Sequence, residues 1–327
     1  MNEKVFATLK STETEDWFDL HIVRPFSYRW AAFFARIDVH PNTVTVMSMI
    51  IGAASCLLFA HGSFYYEGVW GIMFNIIALL LLFCADILDC TDGQLARMTG
   101  KKSRLGRILD GVAGFAWYIP IYFGLVYRFY QHHSLEFDWL GIDDTAVNTY
   151  IATFVVMCLG FVAGFAGLAP QQRIADYYIQ IHLFFLKGEK GSELDNSKRQ
   201  QELYDELSWK DNKLEKFFQK TYVDYTIKQE KATPEFQALL AKLKETYGSF
   251  DNIPNSVRKA IHDESLPLMK YVTMLVFNFR TISLALFCLL DVPIAHFLFE
   301  AIAISALAFY VNHRHERFCK KIAQSLK

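Results

Sequence analysis

The chain lacks any excess of charge: its 33 Lys and Arg stand against 34 Asp and Glu over 327 residues. A nucleic-acid partner, which calls for a concentrated positive surface, is therefore not expected. The N-terminal stretch MNEKVFATLKSTETEDW holds no apolar run, so no cleaved leader is expected. The six cysteines include no CxxC pair; five lie in or beside apolar segments, which speaks for buried apolar thiols and against a disulfide frame or a cysteine zinc site. No P-loop, dinucleotide fingerprint or nucleophile triad occurs. There is no internal repeat and no low-complexity run. The apolar stretches do not alternate with polar residues, which excludes a membrane β-barrel.

What the chain has in abundance is apolar and aromatic surface. Hydrophobic residues make up 53% and aromatics 16% of it, and mean hydropathy is +0.16. About 20 mostly apolar residues cross a bilayer as a helix, the form that pairs its own backbone groups. Such runs lie at Thr43–Ala60, Val69–Leu88, Ile108–Tyr127, Ile151–Leu168, Tyr271–Leu290 and Pro293–Val311. The expected fold is all-α and polytopic, with six transmembrane helices. Lys4, Lys10, Arg24, Arg29 and Arg36 precede the first run; Arg97, Lys101, Lys102, Arg104 and Arg107 follow the second; Arg314, Arg317, Lys320 and Lys321 follow the sixth. The loop after the third carries Glu136, Asp138, Asp143 and Asp144 with no Lys or Arg. By the bias of basic residues toward the inner side, both termini and the second loop face the cytoplasm.

Four segments follow. Residues 1–41 form an arm whose Asp16–Ile37 stretch mixes Trp17, Phe18, Trp30, Phe33 and Phe34 with Arg24, Arg29 and Arg36, the composition of a helix lying in the interface. Residues 42–186 hold spans one to four. Residues 187–266 are polar, with Phe236, Leu239, Leu240 and Leu243 at helical spacing, and are expected to be a helical cytoplasmic insertion. Residues 267–327 hold spans five and six and a basic tail.

Acids gather where span two ends. Asp89 and Asp92 are three positions apart and so neighbours one turn apart on a helix. Asp86 lies one turn deeper, and Asp110 opens the next span. Carboxylates at membrane depth are costly and are kept for a purpose. Clustered ones repel each other unless a cation joins them, and carboxylates with substrate phosphates suit Mg²⁺. Capping of a helix end would account for one aspartate, not for three. Gly93, Ala96 and Gly106 are small enough to let a ligand approach the backbone, although tight helix packing explains each singly. Arg97 offers a planar fork for phosphate oxygens.

The pattern Asp89-x2-Asp92-Gly93-x2-Ala96-Arg97-x8-Gly106-x3-Asp110 resembles the signature of the CDP-alcohol phosphotransferase family. The lead-in Pro41-Asn42-Thr43-Val44-Thr45 looks like the family's approach to its first span. The resemblance implies that a CDP-linked donor gives up CMP to an acceptor alcohol, forming a phosphodiester in phospholipid synthesis. Asp89, Asp92 and Asp110 would hold Mg²⁺ or Mn²⁺. Asp89, Asp92, Gly93, Ala96, Arg97 and Gly106 would surround the nucleotide. A homodimer in the membrane, with its site open to the cytoplasm, would be the working form. The family signature continues through x3 to a fourth aspartate, its proposed base. Gly114 stands there, and glycine cannot take a proton. Asp86 is the nearest candidate to replace it; a phosphate on the substrate is another. A CDP-binding protein without turnover is the alternative, and an ion transporter ranks below both because the acids do not sit at mid-membrane in paired halves.

Arg280, inside span five, requires an anionic partner. It and Arg173 are candidates to hold an acceptor phosphate, with an aspartate pair for Arg280 and snorkelling for Arg173 as the structural alternatives. His132, His133, His313 and His315 are expected at the surface, without companions at metal-ligand spacing.

Overall fold

The computed structural model describes residues 3–210 and 212–326. Met1, Asn2, Asp211 and Lys327, and the side chains of Glu3, Lys4 and Lys190, lie outside the described residues. Among those described there is no strand. The main helices are α1 (Arg24–Arg36), α2 (Pro41–Phe59), α3 (Val69–Thr99), α4 (Arg104–Gln131), α5 (Ala146–Lys187), α6 (Ser197–Glu206), α7 (Lys213–Ala232), α8 (Pro234–Tyr247), α9 (Asn255–Leu289) and α10 (Ile294–Ser325). Six of them, α2 to α5, α9 and α10, are long and apolar enough to cross a membrane.

Several run well past the apolar stretches that announce them. Nothing breaks α3 after Leu88 until Gly100, whose φ of 72° ends the helix, so the acid motif lies on helix and not on loop. At the other end of the loop the Ser103 hydroxyl accepts from Gly106 N at 2.9 Å and starts α4. Helix α5 has 42 residues and α9 has 35, against the ~20 that cross a bilayer. Interior irregularities are absorbed as π-helical turns at Val162–Leu168 in α5 and Phe299–Ile304 in α10.

The chain divides into two compact units. The first takes in the residues up to Thr8, residues 17–170 and residues 277–305. Within it α2 packs closely on α3 and α4. Small residues make this possible: a Cβ on Gly52 would lie 2.1 Å from the Trp117 ring, and one on Gly124 2.7 Å from the Cys56 carbonyl oxygen. Trp117 Nε1 donates to Ser48 O at 3.0 Å, so the close approach also satisfies the indole. Outward residues such as Ile50, Leu57, Leu80, Phe154 and Phe165 are exposed apolar side chains, the coat a lipid-facing bundle presents. On α1, Ser27, Ala31 and Phe34 are buried while Phe26, Trp30 and Phe33 are exposed, and Ser27 Oγ donates to Ile87 O of α3 at 2.9 Å.

The second unit takes in Leu9–Asp16, Gln171–Val276 and the chain from Ala306 on. It draws on all four segments read from the sequence: part of the N-terminal arm, the end of α5, the whole polar insertion, and parts of α9 and α10. Its core holds Tyr177, Ile181, Phe184, Phe236, Leu239, Leu243, Ile261 and Phe318. The spacing noted at Phe236, Leu239 and Leu243 is thus the buried face of α8.

Two sequence expectations need correction. His315 is not at the surface: its side chain is 2% exposed, stacked on Tyr178 with ring centroids 3.9 Å apart. His132 and His133 are half-buried, and only His313 of the four is exposed. The cysteines are all free, as expected, but only Cys288 and Cys319 are buried; Cys84 and Cys158 lie on the outer face. An apolar thiol there faces the same surroundings as the exposed Leu and Phe around it.

Candidate functional site

Asp86, Asp89 and Asp92 rise along one face of α3 at one-turn intervals, and Asp110 joins them from the first turns of α4. One carboxylate oxygen each from Asp89, Asp92 and Asp110 lies within 4.8 Å of the others. Asp86 and Asp92 are buried, Asp89 is half-buried and Asp110 is exposed. The cluster therefore opens toward Asp110 and closes toward Asp86.

Asp92 and the approach of α4 to α2 are held by neighbours that local sequence does not reveal. The Thr45 hydroxyl, from α2, donates to Asp92 Oδ2. Asn42 Oδ1 accepts from Ser103 Oγ at 3.1 Å, and a Cβ on Gly106 would come within 2.6 Å of that Asn42 oxygen. Gly106 thus lets the start of α4 close on α2, and this brings Asp110 within reach of α3. Arg97 folds back over Gly93, where a Cβ would meet its Nη1 at 3.2 Å, and its Nε donates to Thr8 O. Beside the site, Lys101 donates a charge-assisted hydrogen bond to Asp38 and holds that exposed carboxyl below the usual aspartate range.

The fit to a divalent cation rests on two features. The donor set is carboxylate oxygen only, which suits Mg²⁺ or Mn²⁺ and not a softer ion. Asp89 Oδ1 is buried and has no hydrogen-bond partner, an expensive arrangement for a carboxylate unless a ligand completes it. Gly114 lies half-buried on α4, one turn beyond Asp110, and has no side-chain oxygen to add to the set.

The remaining candidates lie elsewhere. Arg280 is in the first unit but fully buried, its Nε 2.6 Å from Glu300 Oε1, with its guanidinium 5.7 Å from the Tyr118 ring centroid. Its partner is a glutamate of α10, not an aspartate, and the Tyr122 hydroxyl donates to the other oxygen of the same carboxylate. An acceptor phosphate would have to compete with Glu300 for this guanidinium. Arg173 belongs to the second unit, half-buried on α5, where its carbonyl accepts from Gln229 Nε2 at 3.3 Å.

Residues 38–178 match the family model CDP-alcohol phosphatidyltransferase, the family whose signature Asp89–Asp110 resembles. Over 80 residues the chain is 34% identical to an archaetidylinositol phosphate synthase of Aeropyrum pernix, covering 24% of this chain and 36% of that protein. Over 94 residues it is 35% identical to a phosphatidylinositol phosphate synthase of Streptomyces avermitilis, covering 28% and 32%. Over 76 residues it is 34% identical to an archaetidylinositol phosphate synthase of Pyrococcus horikoshii, covering 23% and 35%. The alignments span about a third of the length of each relative.

Proposed function

From residues 38–178, a CDP-alcohol phosphatidyltransferase domain, we infer that the chain moves a substituted phosphate from a CDP-linked donor to an acceptor alcohol and releases CMP. The observation that carries this reading is the meeting of Asp89, Asp92 and Asp110 oxygens within 4.8 Å, beside small residues and Arg97 at the family's spacings. The names of the relatives make CDP-diacylglycerol with an inositol phosphate the first donor and acceptor to try.

Asp89, Asp92 and Asp110 would hold Mg²⁺ or Mn²⁺. Such an ion offsets the charge of a diphosphate when bound. Gly93 and Ala96 leave the nucleotide room against the backbone, Gly106 contributes by letting α4 close on α2, and Arg97 offers its guanidinium to phosphate oxygens. The acceptor oxygen attacks the phosphorus bearing the donor alcohol. The anhydride bond to CMP breaks, and CMP leaves with its electron pair. The hydroxyl proton goes to a base, and Gly114 cannot be that base. Asp86, buried one turn before Asp89, is the protein group proposed; a phosphate on the acceptor is the other acceptor for the proton. Of the two arginine candidates for an acceptor phosphate, Arg280 is engaged with Glu300. In this reading the chain works as a membrane homodimer with both termini and the site on the cytoplasmic side.

Gly114 also favours a second reading, a CDP-binding protein that does not turn over. One assay separates them: CMP release from the purified chain with Mg²⁺, over a panel of CDP-linked donors and acceptor alcohols. Release by the native chain is expected. Its absence across the panel, with release by Gly114→Asp, would establish the non-catalytic reading instead.

A further inference from the structure

The second unit contains a convergence of ligand atoms in which the motif carboxylates have no part. Glu13 comes from the segment Leu9–Asp16, His182 from α5 and His262 from α9. One ligand atom of each lies within 4.8 Å of the others. Glu13 Oε2 lies 2.9 Å from His182 Nε2 and 2.8 Å from His262 Nε2, so a single carboxylate oxygen faces two imidazole nitrogens. The two rings are 5.0 Å apart between centroids and inclined by 31°. The His182 side chain is fully buried, that of His262 is 18% exposed and that of Glu13 33%.

Ser265 Oγ lies 3.0 Å from His262 O and 2.7 Å from His182 Nδ1. In the tautomer in which Nδ1–H donates to Ser265, a neutral His182 presents its Nε2 lone pair on the side of Glu13, the donor a metal ion needs. A ligating histidine whose other nitrogen donates to an outer partner, fixing ring and tautomer, is the common arrangement at metal centres.

We propose that Glu13, His182 and His262 form a second metal site, for a borderline-soft divalent ion such as Zn²⁺, with an open coordination position toward the exposed edges of Glu13 and His262. Two imidazoles and one carboxylate are a common three-ligand set for Zn²⁺, whose donors lie at about 2.0–2.2 Å. In a tetrahedral shell these donors stand about 3.3 Å apart, so the observed 2.8 and 2.9 Å need open by only a few tenths of an ångström. The ion would fasten residues 9–16 to α5 and α9 within this unit. It differs in kind from the site on α3, which offers only carboxylate oxygens and suits a harder ion.

The test uses the full, untagged chain in detergent, stripped with a chelator and given one equivalent of Zn²⁺ in excess Mg²⁺. Metal analysis should find one Zn²⁺ per chain. X-ray absorption should find nitrogen and oxygen donors at about 2.0–2.1 Å and no sulfur at about 2.3 Å. Glu13→Gln and His262→Gln should each weaken Zn²⁺ binding at least ~10-fold, while Asp89→Asn and Cys319→Ser leave it unchanged. His262→Gln carries the test because its site is partly exposed and the variant can be checked for an unaltered circular dichroism spectrum. Failure to retain Zn²⁺, a sulfur donor, or Zn²⁺ binding lost with Asp89 and kept without His262 would overturn the proposal. So would imidazole ¹⁵N spectra showing both rings doubly protonated at neutral pH and unmoved by Zn²⁺.

Discussion

Asn75 and Asp89 sit on the same helix, about 21 Å apart by its rise of ~1.5 Å per residue, and their surroundings answer charge in opposite ways. Near Asn75 the Arg128 guanidinium pairs with Asp291 and donates to Asn75 Oδ1 at 3.2 Å and Cys288 O at 3.1 Å. Asn75 Nδ2 in turn donates to Gly62 O at 2.7 Å and to Cys288 O at 3.0 Å. Asp291, at φ 61°, also accepts from Ser63 Oγ and Tyr65 N at the turn between α9 and α10. Each charge there faces its opposite, and the cluster ties four segments of the first unit together. At Asp89 three like charges are brought together instead, with a buried oxygen left without a hydrogen bond. An arrangement that costs stability in the bare chain makes sense as one that awaits a cation.

The contrast can be broken by mutation, most sharply at the acids. Asp92→Asn should lower CMP formation by on the order of 10³-fold or more, the scale of several kcal/mol expected from weakening charge stabilisation at phosphorus. The same change should leave the thermal midpoint of the metal-free chain unaltered or higher, because it relieves repulsion. A midpoint that falls would make the acids structural. Arg128→Ala should do the reverse. It leaves Asp291 without its counter-charge and should cost about 3–5 kcal/mol of stability, while CMP formation per folded molecule stays within a few-fold, read by chemical denaturation beside the assay. Thr45→Val, which removes the hydroxyl that holds Asp92, should raise the Mg²⁺ needed for half-maximal activity about 10–100-fold, with little effect on CMP formation at saturating Mg²⁺. The smallest effect concerns the exposed Asp38. Lys101 lowers its pKa in the folded chain, so the pair supports folding above the ordinary aspartate pKa and that support fades as pH falls through and below it. Asp38→Asn, which keeps a side chain tolerant of the φ of 56° found there, should flatten that part of the acid-stability curve and nothing else.

How much of this is legible in the sequence depends on how far apart the cooperating residues lie. Asp89 and Asp92 are one turn apart, so spacing alone puts them on one face. The motif supplies Asp110. Hydropathy finds the six spans but stops at Leu88, because acids end the apolar run without ending the helix. Thr45 lies on another helix from Asp92, and nothing in its immediate neighbourhood announces the contact. Arg280 demands a partner by being charged in an apolar run, but the choice of Glu300 depends on how α9 and α10 lie together. His315 had a signal that charge obscured: Val311, His315, Phe318 and Cys319 recur at helical spacing and are the buried face of α10, although basic residues surround them. Glu13, His182 and His262 have no local pattern, since three separate stretches of chain supply one side chain each.

The claim on which the rest depends is that Asp89, Asp92 and Asp110 share a divalent ion. Binding of Mn²⁺ to the full chain, followed by electron paramagnetic resonance with one equivalent of Zn²⁺ already present, tests it most directly. The account predicts Mn²⁺ bound by the native chain, displaced by excess Mg²⁺ and lost in both Asp89→Asn and Asp110→Asn. Mn²⁺ bound equally well by these variants, or not bound by the native chain, would contradict it.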